Sequence, residues 1–116
     1  MFERLGDEDM CYLTTTGRRT GTPHEIEIWF GIRDGTLYLL GGGGAAADWV
    51  KNIKAEPRVR VRINSQSAAL RARIVMAGTR EDTVARELLD EKYMGWRAVK
   101  TLSGWARGAL PVAIDL

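Results

Sequence analysis

Residues 24–40 read HEIEIWFGIRDGTLYLL, and this stretch decides the fold class. From His24 to Ile32 the types alternate, with Ile26, Ile28, Phe30 and Ile32 on one side and Glu25, Glu27 and Trp29 on the other. A period of two is the signature of a strand with one buried face. Asp34-Gly35 then supplies the dipeptide that a tight primed turn needs, because both central positions take positive φ, and Thr36 to Leu40 returns as the second strand.

The same grammar continues on both sides of this hairpin. Upstream, Met10 to Thr16 (MCYLTTT) is rich in β-favouring types and ends in the loop Gly17-Arg-Arg-Thr-Gly21-Thr-Pro23. Downstream, the glycine run Gly41 to Gly44 leads into Ala45 to Ala55, where Trp49, Val50 and Ile53 define a helical face, and Pro57 closes that helix. Arg58 to Ile63 (RVRVRI) alternates strictly, and after the turn Asn64 to Ser67 a further strand spans Ala68 to Ala77, with Arg71 and Arg73 opposite Leu70, Ala72 and Ile74. Thr79 has the character of an N-cap, with Glu81 and Asp82 in the first turn and an apolar face of Val84, Leu88 and Leu89 running to Tyr93 or Met94. Gly95 to Gly108 is ambiguous, and Leu110 to Leu116 reads as a terminal strand whose Pro111 suits a sheet edge. About six strands joined by hairpins, with about two helices, predict a mainly β, antiparallel barrel rather than a doubly wound sheet.

At 116 residues and 45% apolar content, the expectation is a single domain over residues 1–116. Seventeen basic residues against fifteen acidic ones leave a formal charge of +2, too even for the global footprint of a nucleic-acid binder. The single Cys11 and single His24 exclude a disulfide framework and the usual metal-ligand clusters, so no metal site is expected. No stretch approaches the roughly 20 apolar residues of a membrane span, and the acidic start of the chain lacks a signal-peptide core, which together predict a cytoplasmic protein without a membrane span.

Several stretches carry residues suited to ligand chemistry. Gly41 to Gly44 before a helix offers backbone N–H groups free of side-chain bulk, although a flexible connector explains it equally well. Arg18 and Arg19 sit in a glycine-bounded loop where guanidinium groups can reach an anion, although by residue type alone solvated loop arginines are the commoner explanation. Five arginines at positions 58, 60, 62, 71 and 73 can align across one hairpin, where like charges require something negative nearby: Glu25 and Glu27, a partner's acids, a phosphate-bearing cofactor or nucleic acid. Four tryptophans at 29, 49, 96 and 105 suit a core, a subunit interface or the wall of a planar cofactor. His24, following Pro23 at a strand start, reads as a surface residue. No acid–base pair or nucleophile set is recognisable, so no catalytic side chain is assigned and any reaction belongs to a cofactor.

Taken in order, Thr14-Thr-Thr-Gly-Arg-Arg-Thr-Gly-Thr-Pro23, EIEIWF, Leu37-Tyr-Leu-Leu40, the glycine run, Asp48-Trp-Val-Lys-Asn52 and Pro57-Arg-Val-Arg-Val61 resemble the deazaflavin-dependent nitroreductase or quinone reductase family. The resemblance implies a six-stranded split β-barrel of the FMN-binding type and a homodimer with cofactor at the subunit interface. It also implies hydride transfer from reduced coenzyme F420 to quinone-like or nitroaromatic acceptors. Carried onto this chain, the cofactor-binding positions are Arg18, Arg19, Gly42, Gly43, Gly44, Trp49, Lys51 and Asn52. Members of the wider split-barrel group hold FMN or haem, which makes FMN the alternative cofactor. A non-enzymatic module using the Arg58–Arg73 face on nucleic acid is the reading from a different class.

Overall fold

A computed structural model describes residues 2–116 of the chain. Seven strands form one antiparallel sheet: β1 (Cys11–Thr16), β2 (Pro23–Ile28), β3 (Gly31–Arg33), β4 (Thr36–Gly41), β5 (Arg58–Ile63), β6 (Gln66–Ile74) and β7 (Leu110–Asp115). Their order across the sheet is β2-β1-β5-β6-β7-β4-β3. Three α-helices accompany them, α1 (Asp48–Ala55), α2 (Arg80–Met94) and α3 (Gly104–Gly108), together with short 3-10 turns at Phe2–Leu5 and Gly44–Ala46.

The mainly β split-barrel architecture agrees with the sequence reading, with seven strands in place of six. The extra strand arises because the alternating stretch 24–32 is interrupted at Trp29-Phe30, giving β2 and β3. These two lie at opposite edges of the sheet although adjacent in sequence, so the sheet curls and is split at this point. Side chains of α2 satisfy the backbone there. The Phe30 N–H donates to Tyr93 Oη at 3.0 Å, and the Phe30 carbonyl accepts from Lys92 Nζ at 2.9 Å. Lys92 also donates to the carbonyls of Gly6 and Glu8, while Tyr93 Oη lies 2.8 Å from the Asp9 carbonyl. Burial pushes the Tyr93 hydroxyl up to about 12, so it remains a proton donor at neutral pH.

The inner-facing residues of the period-two pattern fill the barrel: Cys11, Leu13, Phe30, Leu37, Leu39, Val59, Val61, Ile63, Ala72, Val112 and Ile114. β4 is buried along its whole length, because its other face, Tyr38 and Leu40, packs under α2 and α3 with Ala85, Leu89, Ala106 and Ala113. The hairpin turn forms as expected, with Asp34 at φ 51° and Gly35 at φ 77°. Thr79 caps α2 by accepting from the Asp82 N–H at 3.2 Å. The ambiguous segment after α2 is anchored by buried Asp90, whose carboxylate accepts from the Ser103 N–H at 2.8 Å and the Ser103 hydroxyl at 2.6 Å, ahead of α3.

Two expectations are corrected. β7 is not at a sheet edge but lies between β6 and β4. Pro111 is tolerated because it stands second in the strand, and its carbonyl accepts the Val75 N–H at 3.1 Å. The five arginines do not align across one hairpin either. β6 leaves β5 after Arg71 and pairs with β7 from Ala72 onward, which carries Arg73 away to Glu81 and Asp115. Arg58 and Arg71 remain directly opposite one another, and Glu56 relieves them by taking the Arg58 guanidinium at 2.7 Å. Among the described residues no helix is long and apolar enough to cross a membrane.

Candidate functional site

A cavity of about 730 Å³ opens where the β1–β2 loop meets α1, lined by Thr15, Gly17, Arg18, Arg19, Thr20, Thr22, Pro23, His24, Glu25, Ile26, Asp48, Trp49 and Asn52. It is of the size usual for small-molecule sites. The loop is drawn tight by two backbone bonds, Gly17 N–H to the Thr22 carbonyl and Gly21 N–H to the Gly17 carbonyl, each 2.8 Å. A Cβ at Gly17 would stand 2.6 Å from His24 Nε2, so any side chain there would displace the His24 ring from its place over the loop.

The loop is fastened to α1 through Asn52, which is buried. Asn52 Nδ2 donates to Thr15 Oγ1 at 3.1 Å, and its Oδ1 accepts from both the Arg18 N–H at 3.2 Å and Arg18 Nη1 at 2.9 Å. Arg18 Nη2 completes the brace with Asp48 Oδ1 at 3.1 Å. Four of the expected cofactor positions, Arg18, Arg19, Trp49 and Asn52, are thus brought to one cavity. Their parts differ. Asn52 and much of Arg18 hold the loop in shape, while Arg19 is exposed and has no ion pair among the described residues. Trp49 supplies an indole wall, and threonine hydroxyls at 20 and 22 bond one another at 2.7 Å.

Lys51 and Gly42, Gly43 and Gly44 lie outside these walls. Lys51 is exposed on α1, and the glycines form the connection from β4 into the 3-10 turn before α1. Gly42 lies close to Trp105, whose indole takes part in a second, smaller hollow of about 250 Å³ with Met10, Glu27, Ile28, Trp29 and Leu40. There Trp29 stacks on Tyr93 with ring centroids 4.3 Å apart and meets Trp105 edge-on at 5.3 Å. The two hollows sit at the two ends of edge strand β2, with Ile26 in the first and Ile28 in the second. Trp96 is elsewhere, donating to the Lys100 carbonyl.

Two features escaped the sequence reading. His24 is exposed, as expected, but it also lines the larger cavity, and only the fold of the Gly17–Pro23 loop brings its ring over Gly17. The aromatic trio Trp29, Tyr93 and Trp105 joins Trp29 to rings 64 and 76 positions away, with no local signal to unite them.

Solved structures share this architecture at low identity. An F420-H2 dependent reductase (FDR-A) superposes with a TM-score of 0.72 at 20% identity, covering 93% of this chain and 95% of that one. A protein described as a domain-swapped dimer matches with a TM-score of 0.72 at 21% identity over 94% of this chain and 81% of its own. The haem storage protein HutZ from Vibrio cholerae matches with a TM-score of 0.75 at 12% identity, covering 98% and 86%. Such likenesses establish the fold. The family model of the F420H(2)-dependent quinone reductases matches residues 2–114, almost the whole chain, with the TTGRRTG loop and α1 inside it. On that match the chain belongs to the F420H(2)-dependent quinone reductase family.

Proposed function

We propose that this oxidoreductase, working as a homodimer, transfers hydride from reduced coenzyme F420 to quinone-like or nitroaromatic acceptors. The observation that carries the reading is the arrangement along β2: a cavity bearing two arginines and threonine hydroxyls at one end and an aromatic hollow at the other. Coenzyme F420 combines a planar ring with a phosphate and an anionic glutamate tail. The residues present fit such a molecule. Arg19, the unbraced edge of Arg18 and the hydroxyls of Thr20 and Thr22 suit the anionic part, and Trp49, Trp29 and Trp105 offer aromatic surface. Family membership favours deazaflavin over FMN.

When bound, the reduced deazaflavin supplies the hydride. The chain's contribution is placement and electrostatics. Asn52 and Asp48 hold the Arg18 loop open at the cavity mouth, so anion binding needs little reorganisation of the loop. Gly42, Gly43 and Gly44 carry the chain from the Trp105 hollow to α1, and Lys51 adds a positive charge on that helix. Their part is to flank the cofactor rather than to enclose its anionic end. The notion of a homodimer draws on the resemblance and on the domain-swapped dimer among the similar structures.

Three readouts test the proposal. His24 is the only histidine, so its imidazole resonances are unambiguous, and they should shift when oxidised F420 is titrated in. Arg19→Ala should raise the dissociation constant about tenfold to a hundredfold, the value of one charge-assisted contact. Stopped-flow mixing of reduced F420 with menadione should show protein-dependent oxidation. Absence of binding and turnover with F420, together with binding of FMN, would transfer the site to the flavin.

A further inference from the structure

The outer face of β2, β1, β5 and β6 carries two columns of opposite charge. In β1, Tyr12 pairs with Glu27 on one side and Arg62 on the other, and Thr14 likewise stands between Glu25 and Arg60. Beyond Arg60 and Arg62 come small side chains, since Arg60 is opposite Ala69 and Arg62 opposite Ser67, while Arg58 at the next level faces Arg71. The acidic and basic columns are therefore two strands apart, about 10 Å at ordinary strand spacing. Within the chain they satisfy one another poorly. Arg62 reaches Glu25 at 3.9 Å and lies over the Tyr12 ring at 4.1 Å, Arg60 bonds only the Ser67 hydroxyl, and Glu27 has no ion pair among the described residues.

This pattern is self-complementary under one operation. A two-fold axis running along β1, in the plane of contact, carries each protomer's β2 over the other's β5 while keeping every residue at its own level along the strands. Glu25 then meets the partner's Arg60, Glu27 meets the partner's Arg62, and the polar β1 residues face their own copies. Isologous contacts of this kind place each pairing twice. We propose that a second copy of this chain docks on this face, its Glu25 and Glu27 pairing with Arg60 and Arg62 across the axis. Glu25 also lines the large cavity, so the same contact brings the partner's Arg60 to the rim of the anion site and adds a cation that neither chain supplies alone. The inference rests on the homodimer proposed above and assigns its surface.

Sedimentation velocity on charge-reversed variants tests it. R60E/R62E sets acids opposite the partner's Glu25 and Glu27, and E25R/E27R sets arginines opposite the partner's Arg60 and Arg62, so each should weaken self-association by about tenfold or more, the direction expected for like charges set opposite. Mixing the two should restore a dimer, now heterologous, because acids again face arginines. Should a reversal fail to fold by circular dichroism, R60Q/R62Q and E25Q/E27Q should weaken the dimer in the same direction and flatten its salt dependence. A wild-type dimer unmoved by any of these variants overturns the assigned face while leaving the dimer and the reductase reading intact. A wild-type protein that is monomeric at micromolar concentration overturns the dimer, and salt-dependent binding of a mixed-sequence oligonucleotide, lost in R60E/R62E, would assign the face to nucleic acid.

Discussion

Replacing Asn52 by alanine should lower stability severely, because this one side chain joins three pieces of the site. Its amide nitrogen holds Thr15 Oγ1 of β1, and its oxygen holds both the backbone and the guanidinium of Arg18. Thr15 is 2% exposed and Asn52 5%, so water does not freely replace the bond between them. A neutral buried hydrogen bond contributes about 1 kcal/mol and one to a charged group about 1.5–3 kcal/mol. The Arg18 side chain is 23% exposed and keeps Asp48, which lets water and that ion pair offset part of its loss. The net cost should be about 2–4 kcal/mol, against a total stability on the order of 6–17 kcal/mol for a chain of this length. The variant should therefore fold but melt on the order of 10 °C lower. Thr15→Val removes only the shared bond and should cost about 1 kcal/mol, and the double variant should cost less than the sum of the two, since the same bond is counted twice. Urea unfolding of the four proteins gives the cycle. If Asn52→Ala lies within about 0.5 kcal/mol of wild type, or if the two changes are fully additive, the brace is refuted. A loss of cofactor affinity without loss of stability would make Asn52 a direct ligand instead.

The network at the other end of β6 predicts a pH dependence. Arg73 holds Glu81 and Asp115 below the usual carboxylate range through hydrogen bonds of 2.6–3.0 Å. Because these folded-state values are depressed, their contribution is complete above about pH 4–5, where the unfolded groups are also ionised, and fades as the pH falls through the lowered values. Arg73→Gln should cost about 1 kcal/mol at pH 7, and unfolding curves at pH 3 should show the gap to wild type closing; a constant gap would exclude the linkage. Cys11 is fully buried, and burial pushes its thiol up to about 12. A thiol-disulfide reagent at pH 8 should label it only as fast as the protein opens, and immediate labelling of native protein would contradict the inward placement of Cys11 on β1.

What the sequence by itself determined is local. Alternation in 24–32, 58–63 and 68–74 names the strands and their inner faces, Asp34-Gly35 names a hairpin, and Thr79 names a helix start, because period, turn chemistry and capping involve residues a few positions apart. The gathering of Arg18, Arg19, Trp49 and Asn52 was legible only as an ordered set of motifs resembling a family, and their residue types alone left solvated loop arginines open. Tertiary structure decided the rest. It set β7 between β6 and β4 despite Pro111, because Val112 and Ile114 are needed in the barrel while Ala113 faces α2 and α3. It broke the strand at Trp29-Phe30, because Lys92 and Tyr93, more than sixty residues away, take the hydrogen bonds that a neighbouring strand would otherwise make. It also turned Asn52 from a helix residue into the brace of the site through contacts 34 and 37 positions away, and laid His24 over Gly17 across the closed β1–β2 loop. Non-local pairing is selected by which buried surfaces match once the sheet has curled, and that information is spread over the whole chain rather than written in any one segment.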